Sequence, residues 1–356
     1  MEEYNVIGIM SGTSLDGVDL ACCHFTKDES GWKFEIRNSD TVEYPDQWLD
    51  KLSTLHEKDG MMLAQTHAAY GHFLGTLAKD FISRNQLKVD FVSSHGHTIF
   101  HQPQHKFTYQ LGDGAALSAA CGLPVVCDFR SKDVALGGQG APLVPIGDEI
   151  LFPAFDFCLN LGGIANISFR HLNERIAFDV APCNMVLNSL SLQLGKKYDD
   201  EGKLAENGNV NEKLLSQLND WPYYSKKFPK SLGREDIEKD FFIMINTQHL
   251  SVEDKLRTFC EHLAIQISIV TKSYCPLPTA QCQLLITGGG AFNKFLISRI
   301  EKQSSLKITI PDQKIIGFKE ALIFAFLGVL RWRGEVNCLK SVTGASRDNC
   351  GGAIYK

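Results

Sequence analysis

Apolar residues open this chain as short runs and later recur with helical spacing. Residues 5–10 read as a buried strand, 11–17 as a glycine-polar turn, and 18–26 as a second strand. Residues 32–44 alternate loosely and predict a third. Over 61–84 the period changes: Ala69, Phe73, Leu77 and Phe81 recur every fourth residue, with Leu74, Ala78 and Ile82 beside them. That is one apolar helical face. A strand at 89–93, a helix at 113–121 and a strand at 124–128 follow. The pattern then restarts, with strands at 155–160, 165–170 and 175–179 and a turn at Gly162–Gly163 between the first two. Helices are expected at 184–194 and 252–273, a strand at 283–287, a helix from Ala291, a strand at 307–310 and a last helix at 318–331.

An order of hairpin, third strand, then alternating helix and strand thus occurs twice. This predicts an α/β protein built from two copies of one mixed unit, with a ligand cleft between them. The expected limits are 1–130 plus about 345–356 for the first domain and 131–344 for the second. A polar stretch at 195–239 reads as an insertion, and on composition as a solvated connector.

Composition narrows the possibilities. At 356 residues the chain can bury a sizeable core, and its net charge of −5 gives no reason to expect nucleic acid. The acidic start enters a strand at once, so no signal peptide is expected. Residues 321–330 are apolar but too few for a membrane span. Eleven cysteines without a CxxC pair read as reduced thiols of a cytoplasmic protein.

Three glycine turns carry candidate chemistry. Gly12, Thr13, Ser14, Leu15, Asp16, Gly17, Val18 and Asp19 join two strands and lack the ending of a P-loop. Their amides and hydroxyls can still face phosphates, and Asp16 or Asp19 could hold Mg²⁺. Gly162, Gly163 and Asn166 occupy the matching place in the second copy. Gly288, Gly289 and Gly290 lie between strand and helix, where a phosphate could approach a helix N-terminus. Each turn alone could simply need the freedom of glycine; together they resemble the actin/hexokinase superfamily, whose two RNase-H-like domains clamp ATP.

Asp179 ends a strand before a helix and suits a general base or, equally, a helix cap. Arg130 could pair with a substrate carboxylate or join a salt bridge. Glu320, the acid of an apolar helix, could hold a substrate hydroxyl or merely favour the helix dipole. His95 and His97 raise a rival reading, a metal hydrolase, which needs further ligands from later strands; contact with substrate, or loop histidines satisfied within the protein, is the simpler reading.

The chain resembles the anhydro-N-acetylmuramic acid kinases over nearly its whole length. The carriers are GIMSGTSLDGVD (8–19), SSHGHT (93–98), DFRSKDVALGGQGAPLVP (128–145), NLGGIANISF (160–169), YDDEGKLA (198–205), PKSLGRE (229–235), TGGGAFN (287–293), KEALIFAFLG (319–328) and TGAS (343–346). The resemblance implies that ATP, water and 1,6-anhydro-N-acetylmuramic acid give N-acetylmuramic acid 6-phosphate and ADP, within peptidoglycan recycling. It implies an ATP site over Gly12–Asp19, Gly162, Gly163, Asn166 and Gly288–Gly290, with Mg²⁺ bridging the phosphates. Asp179 would be the base, and His97, Arg130, Asn184 and Glu320 would contact the sugar. A homodimer is implied as well. One departure stands out: the family's usual DTGPGN is DVAPCN here (179–184). Where such a glycine needs positive φ, alanine or cysteine costs about 1 kcal/mol or more. An altered relative that binds nucleotide and sugar is therefore the second reading.

Overall fold

The computed structural model describes residues 2–12, 15–246, 249–275 and 281–356. It divides into one unit of 1–152 with 318–356 and another of 153–317. The limits expected at 130/131 and about 344/345 lie elsewhere. The helices Ser131–Ala135 and Val144–Leu151 and the helical stretch after Phe318 belong with the first sheet. Apolar runs of that length do not say which sheet they will cover.

The first unit builds its sheet from β1 (Glu2–Ser11), β2 (Val18–Asp28), β3 (Gly31–Val42), β4 (Phe91–Ser94), β7 (Val125–Cys127) and β13 (Ala353–Tyr355), in the order β13-β7-β4-β1-β2-β3. A separate hairpin pairs β5 (His97–Gln102) with β6 (Phe107–Leu111). The second unit has β8 (Phe157–Leu161), β9 (Ile164–His171), β10 (Glu174–Pro182), β11 (Gln283–Thr287) and β12 (Lys307–Thr309), ordered β10-β9-β8-β11-β12. Within each unit the third, second and first strands are antiparallel neighbours. The fourth and fifth then continue parallel to the first. This shared order bears out the expected pair of RNase-H-like units.

Strand alternation sorts the first sheet's residues. Ile7 lies opposite Cys22 and Ile9 opposite Leu20, and all four join the core that includes Tyr70, Leu74 and Ala78 of the helix Gly60–Asn85. The other face carries Gly8 opposite Ala21, and it meets the helix Gln313–Arg333. Ser93 donates its hydroxyl to the Phe324 carbonyl at 2.5 Å, and Phe91 stacks on Trp332. That helix is interrupted at Phe318 (φ −120°, ψ 16°), where the division into units also falls. Lys319 and Asp148, both buried, form an ion pair of 2.7 Å immediately before Glu320. Among the described residues no helix is long and apolar enough to cross a membrane.

Three expectations need correction. The stretch 195–239 is no simple solvated connector: the helices Lys203–Asn207 and Glu212–Asn219 and the turn Pro222–Ser225 bury Leu214, Leu218, Trp221 and Tyr223 in the second core. Its apolar residues are too widely spaced to show in a window average. The helix expected from Ala291 begins at Lys294, capped by the Asn293 side chain, after a 3₁₀ turn at Gly289–Phe292. Finally, Cys275 and Cys282 form a disulfide. One follows the helix Val252–Tyr274 and the other, seven residues on, precedes β11.

Candidate active site

In the second unit the sheet register assembles the polar residues. Asp179 of β10 lies opposite Asn166 of β9, which lies opposite Asn160 of β8, which pairs with Thr287 of β11. Cross-strand partners share a face, so these four form one polar row across four strands. A bulge follows Asp179, between it and Ala181. The row ends where the turns begin. The glycine turn Gly162–Gly163 accepts the amides of Asn184 (3.1 Å) and Cys183 (3.0 Å) at its carbonyls. The Asn184 side chain donates to the Leu161 carbonyl at 2.8 Å. Gly288 has φ +80°, and a Cβ there would sit 2.5 Å from Asn160 Oδ1 and 2.9 Å from the Leu161 carbonyl. Only glycine lets the two turns approach this closely. Asp179, Asn166, Asn184, Gly162, Gly163, Gly288, Gly289 and Gly290 are thus brought to one end of one sheet.

Asp179 is held from the insertion. Leu232 N–H donates to its Oδ2 at 2.8 Å, and the Tyr223 hydroxyl donates to its backbone carbonyl at 2.6 Å. Lys230 lies over the rings of Tyr223 (4.6 Å) and Phe178 (5.4 Å). Burial raises the Asp179 carboxyl from the ordinary 3.8 to about 6, against the opposing pull of the Leu232 amide. Asp179 does not cap the helix Asn184–Leu192 that follows; Cys183 stands at that position. A carboxylate raised to near neutrality at a sheet end is suited to taking a proton from water.

The departure at 179–184 is absorbed without left-handed backbone. Cys183 has φ −137°, and Ala181 is outside the positive-φ residues. Val180, Ala181 and Cys183 are buried in the second core.

In the first unit the β1–β2 turn carries Gly12, Leu15, Asp16 and Gly17, and Asp19 is the second residue of β2; Thr13 and Ser14 lie outside the described residues. Val18 is buried core, so only its backbone is open to a ligand role. Asp19 accepts from the Thr41 hydroxyl at 2.6 Å. Its carboxyl is raised by burial and, to a lesser extent, by the Asp16 charge. Arg130 donates through Nε and Nη2 to His95 Nε2, at 3.0 and 2.8 Å, and through Nη1 to the Gly140 carbonyl at 2.6 Å. Burial lowers Arg130 to about 10 while Glu320 pulls it up. Glu320 is solvent-accessible yet closely surrounded, and its carboxyl is raised by desolvation with Asp19 adding to the effect. Asp19, Arg130 and Glu320 therefore share one electrostatic neighbourhood. His97 is buried and lowered to about 4 by desolvation, and its Nδ1 has no hydrogen-bond partner among the described residues.

Several contributors were not singled out from the sequence: Asn160, Thr287, Tyr223 and the Leu232 amide. Asn160 and Thr287 are flagged only by their place at strand ends next to glycine turns. The insertion's contacts have no signal in spacing. The metal reading loses one of its two named donors, since both nitrogens of His95 are already engaged, Nδ1 lying 2.7 Å from the Gly96 carbonyl and Nε2 3.0 Å from Arg130 Nε.

Residues 4–356 match the family model described as anhydro-N-acetylmuramic acid kinase. The chain is 34% identical to the anhydro-N-acetylmuramic acid kinase of Vibrio vulnificus (strain YJ016), covering 98% of this chain and 97% of that one. It is 33% identical to the protein of that name from Haemophilus influenzae, covering 100% and 98%. Among solved structures, the activator of the 2-hydroxyisocaproyl-CoA dehydratase from Clostridium difficile with bound ADPNP is similar at a TM-score of 0.46 and 12% identity. That similarity covers 92% of this chain and 97% of that one.

Proposed function

The chain belongs to the anhydro-N-acetylmuramic acid kinase family, and from that premise we propose that it opens 1,6-anhydro-N-acetylmuramic acid with water and phosphorylates the released O6 from ATP. The products are N-acetylmuramic acid 6-phosphate and ADP. The observation that carries this reading is Asp179, a carboxylate raised to about 6 in a polar row bordered by two glycine turns.

Water attacks C1 of the sugar while Asp179 takes its proton. The C1–O6 bond breaks, O6 attacks the γ-phosphorus, and ADP leaves. Phosphoryl transfer needs positioning and charge neutralisation more than covalent chemistry. The amides at Gly162, Gly163 and Gly288–Gly290, with Asn166, are assigned to the nucleotide, as is the turn Gly12–Asp19. Arg130 is assigned to the sugar's lactyl carboxylate, Glu320 to a hydroxyl, and Asn184 and His97 to the remaining sugar contacts. Asp16 and Asp19 fit a divalent cation, because Asp16 raises the Asp19 carboxyl and a cation would relieve that repulsion. When bound there, Mg²⁺ would neutralise phosphate charge. A cytoplasmic homodimer is the proposed state, and light scattering of the purified protein checks the dimer.

The test is ADP release with the anhydro sugar beside plain N-acetylmuramic acid, with the product's phosphate position read by NMR. Sugar-dependent ADP release and a 6-phosphate made from the anhydro sugar are expected. ATP binding without turnover would favour the altered relative. The backbone at Ala181 and Cys183 supports the active enzyme, since neither stands in the left-handed region.

A pH profile follows from the same carboxyl. The base works deprotonated, and its pKa is raised, so activity is present above about 6 and lost below it. kcat/KM for the sugar is expected to fall about tenfold per pH unit on the acid side. A profile flat through that region would remove Asp179 as the base.

A further inference from the structure

Of the histidine motif at 93–98 the assignment above uses only His97, yet His95 is a heavily engaged side chain of the first unit. It follows β4 and is buried. Its Nδ1 lies 2.7 Å from the Gly96 carbonyl, an acceptor, so Nδ1 must carry the proton. Nε2 then holds the lone pair, and this is the atom that receives both Nε–H and Nη2–H of Arg130. The Phe324 ring closes over the pair, 4.5 Å from the imidazole and 6.0 Å from the guanidinium carbon. Burial and the adjacent arginine hold the imidazole pKa well below its ordinary value, so it stays neutral.

The third anchor of Arg130 is equally fixed. Its Nη1 donates to the Gly140 carbonyl, and the Gly140 amide donates to Asp133 Oδ2 at 2.8 Å. Asp133 is fully buried, and its Oδ1 accepts from Cys338 Sγ (3.0 Å), Thr343 Oγ1 (2.9 Å) and Asn349 Nδ2 (2.9 Å). Three of the five guanidinium N–H groups are therefore committed to the protein. Glu320 is the foremost charge acting on Arg130, yet among the described residues no ion pair joins them. An arginine with an open Nε–Nη2 edge beside a carboxylate would close on it side-on. Here a neutral acceptor occupies that edge instead.

We propose that His95 is the positioning residue of Arg130: its Nε2 lone pair takes the side-on edge of the guanidinium, keeps it from collapsing onto Glu320, and leaves only the outer N–H groups for a carboxylate ligand. The proposal rests on the assignment of Arg130 to the sugar's lactyl carboxylate. It gives Arg130 and Glu320 separate partners on one substrate, an anion for the first and a hydroxyl for the second.

Two substitutions test it. In His95→Gln the side-chain oxygen can reach the place of Nε2 and accept from Arg130. In His95→Leu the acceptor is gone. Sugar affinity is measured with 1,6-anhydro-N-acetylmuramic acid and with 1,6-anhydro-N-acetylglucosamine, which lacks the carboxylate. In His95→Leu, KM for the carboxylated sugar is expected to rise roughly tenfold or more, KM for the other sugar to change little, and the preference between them to collapse. His95→Gln is expected to recover most of the loss. Equal losses in both variants, or equal losses on both sugars, would indicate a merely structural histidine and overturn the proposal. A readout independent of turnover is the imidazole tautomer of the wild-type protein by nitrogen NMR. A proton on Nε2 overturns the proposal; a proton on Nδ1 with a bare Nε2 supports it. Failure of the kinase reading itself would appear differently, as a wild-type protein inactive on the anhydro sugar.

Discussion

Asp179→Asn is expected to lower kcat by roughly a thousandfold, within the range set by losing a general base, while ATP still binds. The two side chains have the same shape, and the asparagine carbonyl can still accept the Leu232 amide. The same substitution is expected to stabilise the protein at alkaline pH. The folded-state pKa is about 6 against the ordinary 3.8, so the folded chain holds this proton more tightly than the unfolded one. The protonated form contributes its stability fully below 3.8, and that stability is lost as pH rises through about 6. Above that, the wild type carries a half-buried charge that costs on the order of 1–3 kcal/mol, and the amide does not. Thermal unfolding of both proteins should show Asp179→Asn melting higher at about pH 8 and the gap closing toward about pH 4. Near-normal turnover would remove Asp179 from the mechanism. A variant that is inactive but less stable at alkaline pH would mean the carboxylate is held by contacts the amide cannot replace. A base kept uncomfortable in the folded state is a common cost of function.

Gly8→Ala is expected to destabilise the first unit by about 3 kcal/mol or more, through overpacking that cannot relax locally. A Cβ on Gly8 would fall on the Ala321 carbonyl oxygen and within 2.8 Å of the Ala321 carbonyl carbon. Both are backbone atoms of the buried helix, so the helix must lift from the sheet rather than a side chain turn aside. The first thermal transition should drop by roughly 10 °C. Glu320 is the adjoining helix residue, so KM for the sugar is expected to rise in whatever fraction stays folded. A melting temperature within about 2 °C of wild type would show that sheet and helix are not in close contact at Gly8. The requirement at Gly8 is spatial: nothing in its φ demands glycine, unlike Gly288 at φ +80°.

The architecture was largely legible in the sequence. Two runs of hairpin, third strand and alternating helix and strand predict two like units, because strand and helix impose different periods on apolar residues. The strand order confirms that reading in both. The glycine turns are legible for a related reason: a cluster of glycines at a strand end records a close approach even when the partner is unknown. Helix starts and unit limits were less legible. The Gly288–Gly290 turn passes through 3₁₀ geometry before the helix at Lys294, and the limit at 317/318 falls inside an almost continuous helix. Neither leaves a mark in hydrophobic spacing.

Local residue order by itself determined the two α/β units, the turns that border the site, and Asp179 on the strand before the helix at Asn184, although that strand runs on past Asp179 through a bulge to Pro182. Tertiary structure alone decided that Asp179 is raised to about 6, that the insertion at 195–239 reaches back to hold it, that Asn166, Asn160 and Thr287 stand in one row with it, and that Arg130 is tied to His95. The division has a physical cause. Periodicity and turn chemistry act between residues close in sequence. Desolvation, strand register and hydrogen bonding between distant segments depend on which surfaces meet, and a sequence read alone does not fix that meeting.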